Sequence, residues 1–84
     1  MANENKWQLV IAEAMRLLRE ERERQKISMN QLAERSGLSQ PMISFLERGI
    51  RNPTLETLLR IAHVLKVDLG AVITRASKAN PKKG

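Results

Sequence analysis

The chain has no cysteine and no tyrosine, and only one tryptophan, one phenylalanine and one histidine in 84 residues. The lack of cysteine excludes a disulfide framework and any thiolate zinc site. His63 stands alone, so a histidine metal cluster is excluded too, and it reads as a surface or boundary residue. Trp7 and Phe45 make up an aromatic fraction of 2 %. That is too little for a sheet or channel that stacks unpaired bases, and too little for a large aromatic substrate pocket. The longest apolar run is Leu9-Val10-Ile11-Ala12, far short of the roughly 20 residues a membrane span needs. The first residues, Met1-Ala2-Asn3-Glu4-Asn5, lack the charged-then-apolar pattern of a secretory signal. No membrane association is expected, and the expected location is the cytoplasm. With no Cys, no Tyr, no second His and no glycine-rich phosphate loop, an enzyme is not expected, and no cofactor is expected.

Charge is the first positive feature. Fifteen Lys+Arg against nine Asp+Glu give a net +6, a balance that suggests nucleic acid. Its location weakens the inference. Arg75, Lys78, Lys82 and Lys83 supply four of those charges in the last ten residues, with no acid among them, which leaves +2 for the rest. Residues 28–60 hold four basic against three acidic residues. Position, rather than total charge, has to carry the functional reading.

The pattern is helical throughout. Trp7, Val10, Ile11, Ala14, Leu17 and Leu18 fall at helical spacing and predict a first helix over about Lys6–Lys26. Its second half, Arg19 to Arg24, reads as a solvated face with opposite charges three and four apart. Ser28 with Gln31 forms a capping box that starts a second helix, and Gly37 stops it near Ser36. Ser39 caps a third helix with Pro41 in its first turn, ending near Arg48-Gly49. Asn52-Pro53 disfavours helix. Thr54 caps a fourth helix, with Leu55, Leu58, Leu59, Ala62 and Leu65 expected on its buried stripe. Asp68 caps a fifth, carrying Leu69, Val72 and Ile73. There is no β-hairpin signal and no internal repeat. The expected organisation is a flexible N-terminus over residues 1–5, an all-α five-helix domain over 6–75 and a basic disordered tail over 76–84.

The informative stretch joins two short helices through Gly37-Leu38-Ser39, which suits a sharp crossing. Ala33 is small where the helices approach, Gly37 permits a positive φ, and Ile43 is a branched inner contact, with Leu32, Leu38 and Leu46 completing the wedge. The outer face of the third helix is then Gln40, Pro41, Ser44, Phe45 and Arg48. In such a unit the start of the second helix enters the major groove. Gln suits an adenine edge, Ser several edges, and Phe45 either a thymine methyl or an apolar protein contact.

With these residues in place, the segment from Ser28 to Leu65 resembles the Cro/C1-type (XRE-like) helix-turn-helix domain. The likeness extends over roughly residues 11–73. It is carried by Ala33…Gly37…Ile43, Leu46-Glu47-Arg48-Gly49, Arg51-Asn52-Pro53-Thr54-Leu55 and Ile61-Ala62. The resemblance implies a compact lambda-repressor-like fold and a homodimer that binds double-stranded DNA at palindromic operators. It places base contacts on Gln40, Pro41, Ser44 and Phe45. It places phosphate contacts on Ser28, Met29, Arg48, Arg51 and Asn52. The chain departs from the family pattern at Met29, where glutamine is common, and at Phe45, where a polar residue is usual. A third departure is about three extra residues before the second helix. Family members often pair a first-helix arginine with the acid at Glu47; here Arg19 and Arg22 lie on one face and both qualify. Leu69, Val72 and Ile73 are the leading dimer candidates, with Trp7 and Val10 as a second patch. The function implied is a DNA-binding transcriptional repressor; an antitoxin or another partner-binding module on the same fold is the alternative, with a possible protein partner.

Overall fold

The computed structural model describes residues 2–79. Five helices follow one another: α1 (Ala2–Arg24), α2 (Met29–Ser36), α3 (Gln40–Glu47), α4 (Leu55–Leu65) and α5 (Leu69–Ala79). The expected all-α architecture is observed, with every helix beginning close to its sequence signal except the first.

Local chemistry accounts for the boundaries. Ser28 Oγ accepts from the Gln31 backbone N–H at 3.0 Å, while Gln31 Oε1 accepts from the Ser28 N–H at 2.9 Å. Ser39 and Thr54 cap α3 and α4 by the same side-chain-to-backbone bond. Asp68 Oδ1 accepts from the Gly70 N–H at 2.9 Å and from Ala71 at 3.4 Å, opening α5. At the other ends, four residues take positive φ: Lys26, Gly37, Gly49 and Lys66. Each allows the chain to fold back on the helix it leaves, as in Ile50 N–H to Phe45 O at 2.9 Å and Leu38 N–H to Ala33 O at 3.1 Å.

The core lies where α1, α3 and α4 converge. Leu18, Leu32, Ile43, Leu46, Ile61 and Leu65 are its fully buried large side chains, and Met15, Leu17, Ala33 and Ala76 extend it. Gln25 Nε2 donates to the Leu65 carbonyl at 2.7 Å, fastening the end of α1 to the end of α4.

Several expectations need correction. The buried stripe of α4 is Leu58, Ile61, Ala62 and Leu65; Leu55 and Leu59 are 66 % and 51 % exposed. The four leucines at 55, 58, 59 and 65 are indistinguishable by hydrophobicity, and only the direction from which α1 and α2 approach decides which face is covered. The charged half of α1 is not uniformly solvated, because Arg22 is buried. Trp7 is exposed rather than part of the core. The first helix begins at Ala2 instead of Lys6, and it ends at Arg24 because Lys26 turns left-handed. The last helix runs through Ala76 to Ala79, since Ala76 repeats the Leu69-Val72 stripe one turn on and is fully buried. The remainder of the expected tail, residues 80–84, lies outside the described residues, as does Met1.

Candidate nucleic-acid interface

The geometry of α3 starts from two side chains. Ile43 and Leu46 are each 1 % exposed and pin the helix to the core. With those two facing inward, the residues one or two positions away face out. Gln40, Pro41 and Phe45 are exposed and Ser44 is half-buried. The four expected base-contact positions therefore lie along the open side of one short helix, in order from its N-terminus.

The turn that sets the α2–α3 crossing is held from three sides. Gly37 sits at φ +79°, where a side chain is disfavoured. Leu38 packs half-buried against the core and Ala33 is buried beneath the crossing. Arg60 adds a support that sequence reasoning did not identify. Its Nη1 donates to the Ser36 carbonyl at 3.0 Å, while Nε and Nη2 hold Glu56 Oε2 on the same helix. A Cβ added at Gly37 would lie 3.0 Å from that Nη1. An arginine one turn after a glutamate reads as an ordinary i,i+4 pair, so nothing in the sequence signals the second contact.

The orientation of α3 is fixed from its far end. Glu47 is gripped by Arg22 of α1, with Nε to Oε2 at 2.8 Å and Nη2 to Oε1 at 3.0 Å. The two side chains are 8 % and 3 % exposed. The same guanidinium donates through Nη1 to the Ile27 carbonyl at 2.8 Å. Arg19 instead pairs with Glu23 on its own helix. Of the two candidate partners for Glu47, Arg22 is the one used.

The expected phosphate-contact residues flank this helix. Ser28 is occupied as the cap of α2, so its hydroxyl is already engaged. The backbone N–H groups of Met29 and Asn30 have no acceptor among the described residues, and they carry the positive end of the α2 dipole. Met29 itself packs partly against the core, and its Sδ accepts from Gln40 Nε2 at 3.6 Å. Where the sequence suggested a missing polar contact, a weak sulfur contact restrains the first residue of α3. Beyond α3, Arg48 is the C-cap, Gly49 turns the chain at φ +75°, and Arg51 and Asn52 are exposed.

Pairing sharpens the local charge. Arg22 neutralises Glu47 from outside the unit, and Arg60 neutralises Glu56. Arg35, Arg48 and Arg51 then remain exposed without ion pairs, against Glu34 alone. The unit that was nearly neutral by count presents a positive surface. Its carboxylates are tied up and three arginines are not.

The expected dimer residues fare differently. Leu69 and Val72 are 8 % exposed each, packed inside the protomer. The apolar stripe of α5 is needed to cover α1. Of the three, only Ile73 borders open surface. Among the described residues no helix is long and apolar enough to cross a membrane.

Comparison with known proteins agrees with this geometry. The model of a helix-turn-helix family, HTH_3, matches residues 18–72. An uncharacterised HTH-type transcriptional regulator of Mycobacterium tuberculosis is 42 % identical over 66 residues, covering 79 % of this chain and 47 % of that protein. The control protein C.SmaI of Serratia marcescens is 41 % identical over 54 residues, 64 % of each chain. The chain thus spans about half the length of the mycobacterial relative. Among solved structures, the clp gene regulator ClgR from Corynebacterium glutamicum superposes with a TM-score of 0.76 at 28 % identity, covering 87 % of this chain and 96 % of that one. The chain belongs to the Cro/C1-type helix-turn-helix family of DNA-binding transcriptional regulators.

Proposed function

We propose that this protein is a sequence-specific repressor that reads a palindromic operator as a homodimer, one α3 in each of two major-groove half-sites. The observation that carries the reading is the separation of roles on α3. Ile43 and Leu46 are wholly buried, so Gln40, Pro41, Ser44 and Phe45 are left facing outward with no structural task of their own beyond Gln40's weak contact to Met29. Gln40 suits an adenine edge and Phe45 a thymine methyl. The free N–H groups at the start of α2, with Arg48, Arg51 and Asn52 after α3, suit phosphates on either side of the groove. One α3 spans only a few base pairs. Pairing two half-sites supplies the specificity that one lacks. Repression follows from occupying a promoter site.

The direct test is selection of bound duplexes from a random library, then anisotropy across a salt series. The expected outcome is an inverted repeat bound far more tightly than random DNA. A fall in affinity with rising salt is expected for both, since phosphate contacts release counterions. Equal affinity for selected and random duplexes would overturn the reading. A promoter reporter carrying the selected site should lose expression when the protein is supplied.

A further inference from the structure

The geometry points to the surface on which the two copies meet: an exchange of Trp7 between protomers, each indole seated in its partner's cleft. The inference rests on the homodimer reading above and replaces Leu69 and Val72 as its interface. A cleft of about 470 Å³ opens between the N-terminal half of α1, α4 and α5, lined by Trp7, Val10, Ile11, Leu58 and Ile73 among others. Trp7 is 64 % exposed at this cleft. Leu55 and Leu59 share the side of α4 that carries Leu58 and are more than half exposed. Together these side chains leave an apolar patch on the order of 500 Å² in water, at the upper end of what a soluble monomer exposes. One side of a standard interface carries about that much apolar area.

Two features favour a second copy over a small ligand. Ligand pockets fix their occupant with convergent polar groups, and here Lys6 and Ser77 are the only polar residues along the lining. The same surface also carries a large protruding ring and a cavity of a size to receive one. A two-fold axis satisfies both at once, because each patch is donor and acceptor.

The full chain has one tryptophan and no tyrosine, so its own fluorescence reports the event. Sedimentation velocity and emission spectra are measured from nanomolar to high micromolar protein. The expected result is a doubling of mass and a blue shift of emission over the same concentration range. Trp7→Ala and Leu59→Glu, both at exposed positions, should each weaken the dimer at least about tenfold, with unchanged helical circular dichroism. Binding to an isolated half-site should stay the same in both variants, and binding to the full repeat should weaken. A dimer with unshifted emission, or one that survives both substitutions, would overturn the inference. So would a monomer at every concentration; if that monomer still binds the half-site, the reading of α3 stands without this interface. Loss of half-site binding in the parent chain would count against the reading of α3 instead, while the mass and emission data still judge the interface.

Discussion

Arg22, in the last turn of α1, holds Glu47, at the end of α3, through two hydrogen bonds across 25 residues of sequence. Both side chains are almost wholly buried, and the third contact to the Ile27 carbonyl ties in the loop between α1 and α2. Removing one partner leaves a buried charge uncompensated, which costs about 3–5 kcal/mol. Arg22→Ala should therefore lower unfolding stability by about that amount. Arg19→Ala, on an exposed pair, should cost less than about 1 kcal/mol. Urea denaturation of the two variants checks this, and equal losses would refute the assignment.

Gly37 and Gly49 both have positive φ, at +79° and +75°, but their surroundings differ. Alanine at Gly49 meets nothing within 4 Å and should cost only the left-handed backbone penalty, about 1–2 kcal/mol. Alanine at Gly37 pays the same penalty and also crowds the Arg60 contact to Ser36. Thermal melts should rank Gly37→Ala below Gly49→Ala.

Lys26 and Lys66 close α1 and α4 at φ +60°. Glycine tolerates that conformation without the Cβ strain. Lys66→Gly should raise stability by a few tenths to about 1 kcal/mol. A loss of stability would mean that the aliphatic stem of Lys66 contributes more than its backbone costs.

Glu21 gives a pH-dependent test. Hydrogen bonds from Arg24 and then Gln25 hold its carboxyl down at about 2, against an ordinary value of 4.5. A depressed acid contributes stability that is fully present above pH 4.5 and is lost as pH falls toward 2. Arg24 is well exposed, so solvent screening keeps the contribution within about 1 kcal/mol. Glu21→Gln should be slightly less stable than the parent at neutral pH, and the difference should close between pH 4.5 and pH 2. A difference independent of pH would assign the effect to packing.

At the interface, Gln40→Ala and Arg51→Ala should separate reading from positioning. The first should cost about 1–3 kcal/mol on the selected operator and relax one base position. The second should weaken all duplexes alike and reduce the salt slope by about one. Uniform loss for Gln40→Ala would show that it positions the helix and does not read a base.

Much of this molecule is legible in its sequence, and the reason is local. Ser28, Ser39, Thr54 and Asp68 announce helix starts, and Gly37 a stop, because capping depends on side chains within a few residues. What was not legible depends on the third dimension. Arg19 and Arg22 present the same chemistry three residues apart, and only the position of α3 selects Arg22. Leu55 and Leu59 look like core until α1 and α2 cover the other side of α4. The left-handed turns at Lys26 and Lys66 carry no glycine to mark them. On the candidate interface, the outward face of α3 followed from periodicity, but the restraint of Gln40 by Met29 and the support of the turn by Arg60 did not.

The lock between Arg22 and Glu47 bears finally on the thermodynamics of recognition. Because α1 and the Ile27 loop already fix α3, the helix meets DNA with its backbone ordered. Only the exposed side chains, Gln40, Arg48, Arg51 and Asn52 among them, have rotamer freedom left to lose. Association should therefore proceed close to rigid-body docking, without the large heat-capacity signature of folding coupled to binding.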